Sequence, residues 1–216
     1  MRSGPNRWEF VVPHLREVTS ESHQVLVEPE LLPGGASLDP LRPFAARDLT
    51  WVHVRGWRAE NHLVAGRDLF AVLRRETAFH TVAAAEAADG RWTFRRSGFF
   101  HPRVSVRPAG ADVDIATVET GKMGSGMVRF SDGRRYPWVN ANSEGSEWAF
   151  TRQDGTVLVR FLVRASLRKY EGVVQVESAG RGLEELSLLL LLGWYLIAIS
   201  LWSARSTVTK PTHPTH

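Results

Sequence analysis

LSLLLLLGWYLIAISLWSA, residues Leu186–Ala204, is an almost unbroken apolar run that follows a long stretch reading as β-sheet. A run of this kind has two outlets, lipid or the inside of a folded domain. At about 1.5 Å per residue it makes a helix roughly 28 Å long, close to the ~30 Å of a bilayer core. Gly182 is placed to cap it, with Glu184 and Glu185 in the first turn, where the helix dipole favours carboxylates. Arg205 follows the last turn and suits the negative end. These end signals fit either outlet.

The residues upstream favour burial. Trp51, Val52, Val54 and Trp57 alternate with His53, Arg55 and Arg58, and Leu69–Leu73 is a second strand-like run. Phe79–Ala88 is alanine-rich and reads as a strand by its neighbours. Further on, Trp92/Phe94, Val104/Val106, Val113/Ile115, Val128/Phe130, Tyr136/Trp138, Trp148/Phe150, Val157/Val159/Phe161/Val163 and Val174/Val176 are spaced by two. Each set therefore lies on one face of a strand. Asp89-Gly90, Asp132-Gly133 and Asp154-Gly155 supply hairpin turns between them. Many short strands at this rhythm make an antiparallel meander. If closed, it encloses a lumen too wide for its own side chains to fill. An all-round apolar helix is what such a lumen needs. Trp194 and Tyr195 also sit in mid-run, whereas aromatic residues of a membrane span prefer its interfaces. Length, leucine density and the C-terminal position speak for lipid.

The expected fold is therefore mainly β: a closed antiparallel β-barrel with a central hydrophobic C-terminal α-helix. Residues 1–48 are expected to form a partly ordered extension, with strand-like runs at Trp8–Val12 and Gln24–Val27 between Pro and Gly breakers. The barrel spans residues 49–204 with its helix at 183–204, and residues 205–216 form a disordered tail. A faint internal echo joins Trp92-Thr-Phe94, Gly98 and Val104-Ser-Val106 to Trp148-Ala-Phe150, Gly155 and Val157-Leu-Val159.

Composition narrows the functional classes. The 216 residues carry 27 Lys+Arg against 23 Asp+Glu, a net charge of +4, with 43% hydrophobic and 23% charged residues. That is ordinary for a globular chain, and the modest basic excess favours acidic partners only weakly. The absence of cysteine excludes disulfides, thiolate nucleophiles and cysteine metal sites, and is compatible with a cytoplasmic location. MRSGPNRWEF lacks the apolar core of a secretory signal.

GRWTFRRSGFFHPRVSVR (Gly90–Arg107), DGRRYPW (Asp132–Trp138), SEWAFTRQDGTVLVRF (Ser146–Phe161) and LLLLLGWYLIAI (Leu188–Ile199) resemble uncharacterised bacterial members of the tubby C-terminal-like group. That group takes in the tubby domain, the phospholipid scramblases and the LURP-one-related proteins. The resemblance covers roughly residues 50–204 and implies a helix threaded through a closed barrel. It also implies phospholipid as the ligand class to look for, since tubby domains bind phosphoinositides and scramblases act in lipid movement. The basic residues with which tubby holds phosphoinositide have no motif-level match in this chain. The calcium-binding and palmitoylation features of scramblases are missing too.

Among candidate sites, Arg95, Arg96, Arg134, Arg135, Arg168 and Lys169 lie beside turns or strand ends. Gathered at one rim they would hold an anionic headgroup; scattered, they are solvated charges guarding the sheet. The eight histidines contain no HExxH, and His53, His62 and His80 read as structural or surface residues; His213 and His216 are the one close pair. Gly121–Gly126 (GKMGSG) carries Lys122 but lacks a P-loop's Gly-Lys-Ser/Thr ending, and Ser125 lacks the nucleophile frame, so the segment reads as a hairpin loop. Asp112 and Asp114 share a strand face without forming an acid–base pair. Trp51, Trp57, Trp92, Trp138, Trp148 and Trp194 alternate with polar residues, which marks them as core rather than a stacking platform for nucleic acid. No catalytic residue, cofactor or metal is expected. The reading is a non-enzymatic barrel whose partner is an anionic membrane surface or another protein, with no nucleic acid. A tail-anchored membrane protein with a cytoplasmic β domain and a lipid-handling enzyme with a dispersed site are the alternatives.

Overall fold

Alternating apolar strands joined by tight turns leave each strand no nearer partner than the one before it, and the chain follows that rule all the way round. The computed structural model describes residues 38–54, 60–75, 82–98, 102–121, 124–165 and 170–208, apart from the side chains of 165, 170 and 202–208. The described strands are β1 (Leu49–Val54), β2 (Glu60–Ala65), β3 (Asp68–Arg75), β4 (Val82–Ala87), β5 (Gly90–Ser97) and β6 (Arg103–Pro108). They continue as β7 (Ala116–Thr120), β8 (Gly126–Phe130), β9 (Arg135–Asn140), β10 (Glu147–Thr151), β11 (Val157–Ala165) and β12 (Tyr170–Val176). Each pairs antiparallel with its sequence neighbours, and β12 returns to β1 with Leu49 opposite Val174 and Val52 opposite Glu171. The sheet is a closed barrel without an open edge.

Helix α1 (Leu186–Val208) runs through the lumen. Leu189–Leu192 and Tyr195 are fully buried, and Leu188 and Leu196–Ile199 nearly so, which places apolar side chains against the wall on every side. Each such leucine contributes about 1.5–3 kcal/mol by leaving water. The helix enters beside the end of β12 and leaves at the opposite end, where Ser200 is exposed. Among the described residues no helix is long and apolar enough to cross a membrane. The barrel wall takes up this apolar surface instead.

Side-chain size on the wall sets the helix position. β4 turns Ala83, Ala85 and Ala87 inward, which explains the alanine-rich string and lets the helix approach closely on that side. Elsewhere Trp51, Trp138, Phe150 and Phe161 fill the wider gaps. Trp194 stacks on Trp51 with ring centroids 5.6 Å apart and planes 3° apart. Gly172 makes room for this pair, because a Cβ there would overlap the Trp194 ring. Gly193 on the helix faces Phe161 and Phe150 in the same way. These two contacts fix both the rotation and the depth of the helix.

The three Asp-Gly turns join β4–β5, β8–β9 and β10–β11. Gly133 and Gly155 take φ of +93° and +87°, which a side chain tolerates poorly. Asp132 and Asp154 each accept a backbone N–H two residues on, from Arg134 at 3.0 Å and from Thr156 at 2.9 Å. The Trp-x-Phe echo corresponds to the hairpins β5–β6 and β10–β11, with Phe94 opposite Val106 and Phe150 opposite Val159.

Several expectations are corrected. Val113 is 71% exposed in the loop before β7, so Val113, Asp112 and Asp114 are not strand residues; Asp114 instead receives Arg107 Nε at 2.5 Å. β7 is not marked by spacing of apolar residues, because Ala116, Thr117 and Thr120 leave it little apolar weight. A register shift at Phe150/Thr151 breaks the Val157–Val163 alternation and buries Leu158. The helix starts at Leu186, not at residue 183, and runs past 204 to Val208. Gly180 packs against the Leu158 carbonyl and holds the chain in turns under β11 until Glu185. From the extension, the described part supplies a 3-10 turn (Arg42–Phe44), with Leu41 and Ala45 buried and Phe44 against Phe70. Trp8–Val12, Gln24–Val27, Trp57 and residues 209–216 lie outside the described residues.

In a free helix Gly193→Ala gains up to about 1 kcal/mol. Here it is expected to cost about 1–3 kcal/mol by overpacking, lowering Tm by several degrees, and Gly172→Ala behaves alike. A rise in Tm on calorimetric scanning contradicts the packing. Ending the chain after Arg181 empties the lumen; the product is expected to aggregate, and a soluble fragment with intact sheet circular dichroism refutes the plug.

Candidate functional site

The barrel has two mouths, and antiparallel order assigns every rim residue to one of them. Arg134 and Arg135 flank the β8–β9 turn at the mouth where the helix enters. Arg95 and Arg96 lie near the far end of β5, towards the mouth where it leaves. The arginines do not gather at one rim. Arg95 points outward and is exposed, while Arg96 shares the inward parity of Phe94 and is half-buried. Arg168 and Lys169 lie outside the described residues.

At the entry mouth Arg134 is already committed. Its Nη2 and Nε reach Asp132 Oδ2 at 2.6 and 2.8 Å, and its Nη1 reaches Glu185 Oε2 at 2.5 Å. The Glu185 side chain is only 6% exposed, and its other oxygen accepts the Tyr136 hydroxyl. Phe130 packs edge-on to Tyr136 at 5.9 Å and lies under the Arg134 guanidinium at 5.0 Å. The hydrogen bonds from Arg134 hold the Asp132 carboxyl below its usual range, and that same pairing, more than Glu185's charge, raises Arg134. Burial first, and then the bond to Glu185, push Tyr136 up to about 12. This cluster ties the first turn of the helix to the wall; chemically it is a satisfied structural ion pair. Sequence reasoning placed Glu185 inside the helix and missed its partners. The signal was the inward parity of Tyr136 with Trp138 in DGRRYPW.

At the exit mouth the outer face of the β5–β6 hairpin carries Arg95 and Arg103, with Arg95 opposite Ser105 and Arg103 opposite Ser97. Among the described residues neither is engaged in an ion pair. Arg74, Arg107, Arg134 and Arg160, in contrast, each pair with a carboxylate. Arg103 was not among the arginines singled out from sequence, because nothing local separates it from the others.

Among the described residues the other candidates are surface or core side chains. His62 reaches Glu60 at 3.3 Å within a surface ladder of Glu60, Arg74, Glu86 and Arg91. His53 is exposed; His80, His213 and His216 lie outside the described residues. Among the described residues no three metal-ligating side chains come together. In GKMGSG, Gly121 N donates to Ser125 O at 2.7 Å and Ser125 Oγ accepts from Asn140 N, a hairpin loop as expected; Lys122 lies outside the described residues. Trp51, Trp138 and Trp194 are buried, and Trp92 and Trp148 pack against the core. An open cleft of about 530 Å³ is lined by Leu38 and residues 86–91, where Glu86 is already bonded to Arg74 and Arg91. Comparison with protein-family models, curated proteins and solved structures gives no match.

Tyr136 binds its proton more tightly in the folded state than the ordinary phenol at 10.0. Its contribution is therefore complete below pH 10 and is lost as pH rises through about 12. Denaturant midpoints measured from pH 9 to 12 are expected to fall by about 2–3 kcal/mol in equivalent stability from this group. Tyr136→Phe flattens that fall. Burial also raises Tyr195, against Arg96's charge, and Tyr195→Phe separates its share. An unchanged slope in Tyr136→Phe contradicts the assignment.

Proposed function

We propose that this chain is a non-enzymatic, tubby-like barrel that docks its helix-exit mouth on an anionic phospholipid surface. The observation that carries the reading is the outward Arg95 and Arg103 on the β5–β6 hairpin, which have no ion pair among the described residues, at the end from which the helix continues past the wall. Each basic side chain near an anionic leaflet contributes about 1 kcal/mol, and salt weakens the attraction within a Debye length of about 8–10 Å. The threaded-helix architecture that the tubby resemblance implies supports the same reading. Arg134 belongs to the opposite mouth and to Glu185, so it takes no part.

The test is co-sedimentation with phosphatidylglycerol-containing vesicles against pure phosphatidylcholine. Binding is expected on the anionic vesicles only and weakens as salt rises. Arg95→Glu with Arg103→Glu lowers it at least tenfold, while Arg135→Glu at the entry mouth leaves it unchanged. Equal pelleting with neutral vesicles, or an unaffected double variant, refutes the proposal.

A further inference from the structure

At two places on the outer wall an arginine stands opposite a carboxylate and pairs with it. Arg74 faces Glu60 and Arg91 faces Glu86, each at 2.9 Å. The β5–β6 hairpin has the same cross-strand geometry with a different partner. Arg95 stands opposite Ser105 and Arg103 opposite Ser97, so a serine takes the place of each carboxylate. All four share the outward parity, alternating with the buried Phe94, Val104 and Val106. Arg95, Ser97 and Arg103 are exposed, and Ser105 is half-buried. Among the described residues none of these four side chains has a hydrogen bond or an ion pair.

Side chains directly opposite in an antiparallel pair are about 4.5–5.5 Å apart, and diagonal ones about 7–8 Å. The two arginines occupy one diagonal of this rectangle and the two serines the other. Two long guanidinium arms thus reach from opposite corners to a point above the sheet, with a hydroxyl at each remaining corner. A guanidinium has no acceptor atom, and a serine hydroxyl is free to turn and donate. The set therefore offers donors and two positive charges at one spot. A carboxylate or a phosphodiester answers with two free oxygens and one negative charge. A phosphomonoester answers with three terminal oxygens and a charge of about −1.5 to −2 at neutral pH, which matches two arginines. The carboxylate nearest in register, Glu119 opposite Arg103 on β7, is 62% exposed and lies 3.9 Å from Arg129.

We propose that Arg95, Ser97, Arg103 and Ser105 form a clamp for a phosphomonoester on the outer face of the β5–β6 hairpin. This deepens the docking reading and rests on it for the source of the group, the terminal phosphate of a lipid headgroup. The docking face then separates monoester from diester lipids as well as charged from neutral ones.

The test compares phosphatidylcholine vesicles that carry phosphatidic acid, a monoester, with ones that carry phosphatidylglycerol, a diester, adjusted to equal zeta potential. The full chain is expected to bind the phosphatidic acid vesicles about fivefold or more tightly. Ser97→Ala with Ser105→Ala removes that preference and leaves phosphatidylglycerol binding in place. Arg95→Lys with Arg103→Lys, which keeps the charge and loses the planar fork, does the same. Equal affinity for the two vesicles, or a preference that survives either double variant, overturns the clamp while docking stands. Glycerol 3-phosphate is titrated without vesicles, with the arginine Nε–H resonances as the readout and dimethyl phosphate as the diester control. Saturable shifts at Arg95 and Arg103 with the monoester alone, in a chain that binds neither vesicle, support the clamp for a free phosphomonoester and refute docking. Neither vesicle binding nor a shift refutes both.

Discussion

Twelve strands closed into a barrel leave a hole, and the whole molecule answers to the need to fill it. The helix from Leu186 supplies the volume, and the wall supplies dry surface for a rod that is apolar all round. Each part by itself is left with bare apolar surface. The helix would expose its leucines, and the barrel would face water with Trp51, Phe94, Trp138, Phe150 and Phe161. The fit is not uniform lubrication, because Gly172 and Gly193 receive particular rings from the opposite element. At the entry, Glu185 adds the polar tie that holds the first turn against β9.

The architecture was legible because two periods coexist in the chain. Spacing by two across Trp92/Phe94, Tyr136/Trp138 and Trp148/Phe150 assigns inward faces, and the Asp-Gly turns give the strand order. The unbroken run at Leu188–Leu192 then needs apolar surroundings on all sides, and a wide closed meander offers them. What could not be read was anything set by pairing across distance. The register shift that buries Leu158 depends on β10, and the late helix start depends on Gly180 meeting the Leu158 carbonyl.

The arginines show the same limit more sharply. Arg95 and Arg96 are neighbours in sequence, yet strand parity sends one outward and one inward. Arg134 looked equivalent to them, but antiparallel order carries it to the other mouth and into Glu185. Trp51 and Trp194 were legible as core, while their lack of an acceptor becomes visible only when the helix is in place. Charge in a barrel is therefore sorted twice, by parity into inside and outside and by hairpin order into two ends.

The closure of β1 on β12 carries a kinetic consequence. Leu49 meets Val174, and the lumen is complete only when both they and the far-downstream leucines are in place. Such non-local contacts cost loop-closure entropy before they return any burial. The chain is thus expected to mature late and as one cooperative unit, on the millisecond-to-second scale of all-β topologies, with its greasiest segment as the final piece to be sheltered.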